Sequence, residues 1–369
     1  MNVFVGLSGG VDSAVSAALL QQQGFDVVGV FIRIALPGYP CTAGTDKIEA
    51  MRVAAHLHIP FIEIDLSSEY EQAVFQTSVR EFAKGNTPNP DTLCNKEIKF
   101  GVFYHWAMAH GADLVATGHY AQLQHNADGS VELLAGKDAE KDQSYFLWMV
   151  PEEALRHTRF PVGGMEKREV RALAKKFALP NATRKDSQGL CFLGDISIAQ
   201  MLNKELTLVP GDVLSEQGEV IGTHDGAALY TLGQRHGFMV TALPTKNQTR
   251  ENEQVHSKEL LPHFVISKDI AHNTITVSTE RYPKNKTCTS VLLRNVQWIG
   301  DVAPGACSAR FRYRQELIPA TLEHPTSNSE NRATVILQAP HYVPEGQSLV
   351  LYRGERCLGG GIIERGELG

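Results

Sequence analysis

The sequence lacks the features that mark secreted, membrane-spanning or metal-binding proteins. Its six cysteines lie far apart, and no C-x-x-C pair indicates a structural zinc site or an iron–sulfur cluster. No apolar run approaches the roughly 20 residues that a membrane helix needs. A basic N-terminal segment followed by an apolar stretch and a cleavage site is also missing. We therefore expect a cytoplasmic protein with no membrane span and no metal centre.

An excess of positive charge is absent too. Lys and Arg number 35 against 41 Asp and Glu, which gives a formal net charge of −6. This sign does not suit a protein that coats nucleic acid non-specifically, so an RNA ligand would need a local basic surface. With 369 residues and 43% hydrophobic residues, the chain is long and apolar enough for two or three globular domains.

The first 118 residues alternate short apolar strands with amphipathic helices, which is typical of a parallel, doubly wound α/β sheet. Strands are predicted at 3–7, 27–32, 61–64 and 114–117, and helices at about 12–22, 46–57, 95–110 and 165–179. The last of these helices is strongly basic. Ligands of such sheets bind at the carboxyl ends of strands, where Gly118 and His119 follow the fourth strand.

After about residue 195 the pattern changes to short strands broken by Gly and Pro. The polar stretch 244–257 cannot bury a core, and we expect it to be a mobile loop. Beyond residue 264, alternating apolar segments predict an antiparallel barrel or sandwich. We predict an α/β domain over 1–195, a small mixed central domain over 196–263 and a C-terminal antiparallel β-barrel over 264–369.

A glycine-rich segment directly follows the first strand and ends where the first helix begins. It reads Gly6, Leu7, Ser8, Gly9, Gly10, Val11, Asp12, Ser13. Its glycines let backbone N–H groups face an anion, and the helix N-terminus adds a favourable dipole. The lysine of a Walker A loop is missing, and Asp12 beside phosphates calls for a divalent cation such as Mg²⁺. Alternatively, the segment is only a turn in which Asp12 or Ser13 caps the helix.

Two cysteines lie in loops that suit a reactive thiol. Cys94 follows Asn89, Pro90 and Asp91 in a proline-stiffened loop before a predicted helix, whose dipole stabilises a thiolate. Cys191 follows two cationic residues in a second loop, which would act in the same direction. Each could instead be a small buried cysteine.

Together, these segments resemble the tRNA-specific 2-thiouridylase (MnmA) family of the ATP-pyrophosphatase (PP-loop) superfamily, which has an adenine nucleotide alpha hydrolase-like fold. The shared motifs are Ser-Gly-Gly-Val-Asp-Ser at 8–13, Asn-Pro-Asp at 89–91 with Cys94, Gly-His-Tyr at 118–120, Lys-Asp-Gln-Ser-Tyr-Phe-Leu at 141–147 and Lys-Asp-Ser at 185–187 with Cys191. Further matches at 230–235, 312–315 and 357–363 extend the resemblance nearly from end to end.

The resemblance implies ATP-dependent thiolation of C2 of the wobble uridine in tRNAs for Lys, Glu and Gln. It implies that Cys191 carries a persulfide, that Cys94 closes a disulfide with it, and that Asp91 is a general acid or base. ATP would contact the glycine-rich loop, Ile32 and Gly118. The implied tRNA contacts are Asn89, Pro90, Asp91, His119, Lys141, Asp142, Gln143, Arg312, Tyr313 and Gln347. An upstream cysteine desulfurase or relay protein would supply the sulfur.

A strand over 310–314 would place Arg310, Arg312 and Arg314 on one face, with Phe311 and Tyr313 opposite. That face would follow RNA phosphates or would simply be a solvated barrel surface.

Three other functions use parts of the same pattern. An amide-forming PP-loop synthetase would use ammonia and need no thiol pair. A non-catalytic RNA-binding protein would keep the loop as a nucleotide switch. A persulfide carrier would need neither the loop glycines nor Asp12.

Overall fold

The computed structural model describes residues 1–39, 43–185, 198–241, 261–283, 287–323 and 331–367. Cys41, the segment 186–197 with Cys191, and the predicted mobile loop 244–257 lie outside the described residues. In the described part of the chain, none of the helices combines the length and apolarity that crossing a bilayer requires.

A five-stranded parallel sheet forms the centre of the N-terminal region. Strands β1 to β7 are Asn2–Gly6, Asp26–Arg33, Phe61–Asp65, Leu114–Ala116, Ala121–His125, Val131–Ala135 and Thr158–Arg159. The sheet order is β3-β2-β1-β4-β7, and Val5 of β1 pairs with Gly29 on one side and Ala116 on the other. Strand order therefore reverses between β1 and β4, which is where open α/β sheets bind ligands.

Helices cover both faces of this sheet. Helices α1 to α9 are Val11–Gln22, Ala43–Leu57, Ser67–Tyr70, Gln76–Ala83, Pro90–Leu93, Phe103–Ala109, Glu152–Arg156, Lys167–Lys176 and Ile198–Glu205. The π-helical stretches Glu71–Phe75 and Cys94–Val102 join α3 to α4 and α5 to α6. Val3 and Val5 pack in a core with α1, α2 and α8, whereas Phe4 packs in the core that contains α4 and α6. This alternation confirms the predicted doubly wound α/β class.

The central region is a mixed sheet. Strands β8 to β12 are Gly211–Leu214, Val220–His224, Phe238–Val240, Phe264–Asp269 and Thr274–Ser278, in the order β10-β9-β8-β12-β11. The sequence pattern assigns residues from 264 onward to the barrel, but β12 pairs in parallel with β8, which places β11 and β12 in the central sheet. Apolar alternation identifies a strand but not the strand it pairs with.

Six antiparallel strands form a closed C-terminal barrel. Strands β13 to β18 are Cys288–Trp298, Gly305–Arg310, Ile318–Leu322, Ala333–His341, Ser348–Arg353 and Arg356–Glu367. The order is β13-β16-β15-β14-β17-β18, and pairing of β13 with β18 closes the barrel, as predicted. Within β15, Ile318, Ala320 and Leu322 are buried while the residues between them are exposed, the alternation expected of a barrel wall.

The β5–β6 hairpin connects the first region to the barrel. Leu133 and Leu134 of β6 pair with Cys357 and Arg356 of β18. Leu133 and Cys357 also belong to the same buried core as Phe103 of the α/β region. Because this core is continuous, the barrel is fixed near the carboxyl ends of β1 and β4.

Candidate functional site

A cavity of about 600 Å³ opens at the carboxyl ends of β1 and β4. We refer to two parts of its lining as the phosphate side and the barrel side. The phosphate side is lined by Gly6, Leu7, Ser8, Gly10, Val11, Asp12 and Ser13. The barrel side is lined by Asp91, His119, Lys141, Gln143, Phe146, Tyr313 and Arg314.

The glycine-rich loop is shaped by its own hydrogen bonds. Ser13 Oγ accepts from the Ser8 N–H and donates to the Gly10 carbonyl oxygen, both at 3.2 Å. Gly9 has φ +76°, and a Cβ there would lie 2.5 Å from the Asp46 carbonyl oxygen. Helix α1 begins after Gly10, and no side chain among the described residues caps it. The loop is therefore not the simple helix-capping turn, and the uncapped first turn suits an anion.

Two further segments hold this loop in place. Asn181 Nδ2 donates to the Gly9 carbonyl oxygen at 2.8 Å, and Arg184 donates to the same oxygen while forming an ion pair with Asp46. At Gly118, after β4, a Cβ would lie 2.7 Å from the Ser13 backbone nitrogen. Glycine thus allows the end of β4 to approach the start of α1.

Asp12 does not face the cavity alone. Lys167 Nζ lies 2.7 and 2.9 Å from its two carboxylate oxygens, and the Tyr120 hydroxyl donates to one of them at 2.9 Å. Ile32 is buried at the end of β2 and lines the same cavity. An apolar surface therefore lies beside the charged loop, the combination that a purine nucleotide requires.

The loop before Cys94 places one of its residues in the cavity. Asn89 caps α5, because its Oδ1 accepts from the Asp91 and Thr92 N–H groups at 3.1 and 3.2 Å, and Pro90 occupies the first helical position. Asp91 lines the cavity, whereas Asn89 and Pro90 do not. Cys94 is fully buried and is not among the lining residues.

His119 lies in a buried, aromatic part of the cavity wall. Its ring is near the rings of Phe100 and Phe160, at centroid distances of 5.7 and 5.5 Å. Thr117 Oγ1 is 2.6 Å from His119 Nδ1. Burial, with a smaller effect from the Lys99 charge, holds the pKa of His119 well below its ordinary value. The ring is therefore neutral at physiological pH.

The segment 141–147 turns Lys141 and Gln143 into the cavity and Asp142 away from it. Gln143 Oε1 accepts from the Tyr120 N–H at 2.9 Å. Asp142 is buried, accepts from the Gly136 and Ser144 N–H groups at 3.0 Å, and forms an ion pair with buried Arg310. Asp142 thus fixes the backbone that positions Lys141 and Gln143 in the cavity.

The predicted strand over 310–314 is wrong. Strand β14 ends at Arg310, and the chain then turns, with Arg314 at φ +61°. The three guanidinium groups do not share a face: Arg310 points to Asp142, Arg312 donates to the Leu232 carbonyl oxygen at 2.9 Å, and Arg314 donates to the Glu140 carbonyl oxygen at 3.0 Å. Alternation over five residues could not reveal this turn, because the buried partner Asp142 lies far away in the sequence.

The remaining predicted tRNA contacts have different positions. Tyr313 lines the cavity, with its ring 4.7 Å from that of Phe146. Gln347 lies outside the lining and donates to the Thr87 carbonyl oxygen at 3.0 Å, so it links the barrel to the loop that carries Asp91.

Sequence reasoning missed several polar residues of the cavity. They are Asp46, Asn95, Lys99 and Lys167, and Lys185, which was considered only as a cation before Cys191, lines the cavity as well. Lys167 begins the basic helix predicted over 165–179, and a lysine in a basic helix does not by itself indicate a ligand site. Among the residues that the structure describes, the lining contains five Lys and Arg side chains against three Asp. An acidic protein therefore has a locally basic cavity.

The fold and this loop define a HUP-domain protein of the PP-loop type. A family model described as a tRNA methyl transferase HUP domain matches residues 1–195, a tRNA methyl transferase PRC-barrel domain matches 199–279, and an aminomethyltransferase beta-barrel domain matches 288–363.

Curated relatives resemble the chain over nearly its whole length. The tRNA-specific 2-thiouridylase MnmA of Enterococcus faecalis is 40% identical over 370 residues, covering 98% of this chain and 95% of the relative. Those of Nitrosomonas europaea and Bacillus subtilis are 40% and 39% identical, each covering 98% of this chain, and 97% and 94% of the relatives. The chain belongs to the tRNA-specific 2-thiouridylase family.

Proposed function

We propose that this protein replaces the C2 oxygen of the wobble uridine in tRNAs for Lys, Glu and Gln with sulfur, in the cytoplasm, using ATP to activate the oxygen. The observation that carries the proposal is the shared cavity: an uncapped phosphate loop and Asp91, three residues before Cys94, line the same space. Residues 1–195 would hold the chemistry, and the barrel would contact tRNA.

Activation would proceed by adenylation. The uridine, flipped out of the anticodon loop, would present its C2 oxygen to the α-phosphorus of ATP. A bond would form between that oxygen and the α-phosphorus while the bond to the bridging oxygen breaks, releasing pyrophosphate. N–H groups at the start of α1 would stabilise the phosphates, Ile32 and Gly118 would contact the adenosine part, and Asp91 would exchange protons with the base.

Mg²⁺ accompanying ATP fits this site. Mg²⁺ is held in proteins by one or two carboxylates together with phosphate oxygens, and Asp12 within the loop would supply a carboxylate once phosphate oxygens draw Lys167 away from it. The charge of Mg²⁺ would neutralise the phosphates.

Sulfur transfer would use both cysteines. A protein donor, either a cysteine desulfurase or a relay protein, would load Cys191 with a persulfide. Its outer sulfur would attack C2 and expel AMP with the former oxygen. The Cys94 thiolate would then attack the inner sulfur, releasing 2-thiouridine and forming a Cys94–Cys191 disulfide that a thiol reductant reopens.

Sulfur transfer requires Cys191 to reach the cavity. Lys185 lines the cavity six positions before Cys191, and six residues span at most about 20 Å, so Cys191 lies within that distance of the lining. Cys94 is fully buried, so its attack requires the thiol to gain access to the cavity.

The test is thiolation with purified protein, tRNA, ATP, Mg²⁺ and a sulfide or persulfide source. Nucleosides are analysed by mass spectrometry, while AMP and pyrophosphate are quantified. We expect Cys94→Ala and Cys191→Ala each to lose roughly 10³-fold or more in thiolation, with ATP affinity within about twofold of wild type. Cys307→Ala, in a barrel strand, is the matched control.

Other outcomes identify the rivals. Full thiolation by either cysteine variant contradicts the mechanism. With ammonia added in place of the sulfur source, an aminated nucleoside indicates a synthetase. Binding of tRNA without AMP or pyrophosphate release indicates a nucleotide-switched RNA-binding protein.

A further inference from the structure

Lys167 lines the cavity next to the phosphate side, although no sequence motif marks it. Its ammonium contacts both oxygens of Asp12 and lies 5.6 Å from the centroid of the Tyr120 ring. The side chain is 16% exposed and lines the cavity. This lysine is therefore held against the glycine-rich loop while one part of it faces the ligand space.

The backbone of Lys167 is fixed independently of this ion pair. Its N–H donates to an Asp138 carboxylate oxygen at 2.9 Å, and Glu166 and Glu169 form a capping box at the start of α8. Val170, on the same helix, is buried in the core that contains α1. The ammonium can thus change partner without the helix moving, because only side-chain torsions need to rotate.

The loop itself has no cation. At the position where a Walker A loop carries its lysine, this loop has Val11 and Asp12. A carboxylate at that point repels phosphates unless a positive charge offsets it. The Lys167 ammonium touches a side chain of this loop, the carboxylate of Asp12.

We propose that Lys167 supplies the phosphate-binding lysine that the loop lacks, an inference that rests on ATP being the activating substrate of the proposed function. Without nucleotide, Lys167 neutralises Asp12. With ATP bound, its ammonium contacts the β- and γ-phosphate oxygens. When the bond between the α-phosphorus and the bridging oxygen breaks, the electron pair remains on pyrophosphate, and Lys167 stabilises that charge.

Titration calorimetry with ATP and with AMP tests this proposal, in EDTA so that no metal links Asp12 to phosphate. Because AMP lacks the β- and γ-phosphates, we expect Lys167→Met to weaken ATP binding by about 10- to 100-fold and AMP binding by less than about twofold. Lys167→Arg keeps the charge and should recover most of the ATP affinity. Lys176→Met, at an exposed position of α8, is the matched control.

The double variant Asp12→Asn/Lys167→Met separates phosphate contact from simple screening of Asp12. If Lys167 only screens Asp12, removing both charges restores the wild-type ATP affinity, and the proposal is overturned. Persistent weak ATP binding by the double variant supports it. Unchanged ATP affinity in Lys167→Met, or equal losses for ATP and AMP, also overturns it.

This measurement does not depend on thiolation. If Lys167→Met loses affinity for ATP but not for AMP, while the wild-type protein makes no 2-thiouridine, the proposed function is refuted and the role of Lys167 remains.

Discussion

The phosphate side of the cavity is made by one run of residues, 6–13, whereas the barrel side is assembled from four separate segments of the chain. The phosphate side takes its shape from hydrogen bonds within the loop and from glycines that let other backbone approach. The barrel side depends on the Asp142–Arg310 ion pair and on contacts of Arg314 and Gln347. A substitution in the barrel should therefore disturb the barrel side and its tRNA contacts more than ATP binding at the phosphate side.

The largest expected effect is on the phosphate side. Gly9→Ala combines strain at φ +76° with a Cβ 2.5 Å from the Asp46 carbonyl oxygen, so the loop must shift. We expect ATP affinity to fall by roughly tenfold or more. Gly24→Ala is the control: its φ is +86°, nothing lies within 4 Å of its Cβ, and it should cost only about 1–2 kcal/mol of stability. Equal ATP affinity in both variants would show that the loop tolerates the shift.

The next effect concerns the barrel side. Arg310→Met leaves Asp142 buried without its charge partner, and we expect a loss of about 3–5 kcal/mol in the free energy of unfolding. Because Lys141 and Gln143 flank Asp142, KM for tRNA should rise several-fold while ATP affinity stays near wild type. Denaturant unfolding and steady-state kinetics measure the two effects.

A matched variant tests whether burial causes this loss. Arg33 pairs with Asp65 at 2.7 Å, and both side chains are about half exposed. Arg33→Met should therefore cost less than about 1 kcal/mol. Equal rises in KM for tRNA and ATP in Arg310→Met would contradict the separation of the two sides.

The smallest expected effect is a pH dependence of the folded protein's stability that comes from His119. Its folded-state pKa lies well below the unfolded value because the ring is buried. Between those two pKa values the unfolded chain binds more protons, so stability falls as pH decreases below about 6.5, by at most about 1.4 kcal/mol per unit. His119→Gln cannot titrate and should show a shallower loss of Tm between pH 7.5 and 5. Parallel curves would mean that His119 is not held neutral by burial.

Much of the phosphate side could be predicted from the sequence, because its determinants are local. The loop residues are consecutive, and the strand before them and the helix after them have clear apolar periodicity. On the barrel side, strand-end position indicated His119, whereas Lys141, Asp142 and Gln143 were predicted only through the family resemblance. Asp142 shows the difference: resemblance suggested a tRNA contact, but its carboxylate pairs with Arg310, and nothing in the neighbourhood of either residue in the sequence signals that ion pair.

The sequence by itself determined the doubly wound sheet, the glycine-rich loop and the antiparallel strands of the C-terminal region, because periodicity and glycine placement act over a few residues. Tertiary structure alone decided that β11 and β12 join the central sheet, that β13 and β18 close the barrel, and that Arg310 faces inward. It also brought Lys167 to Asp12 across 155 positions. Contacts between distant segments depend on how whole helices and strands pack, and the local sequence pattern does not predict that packing.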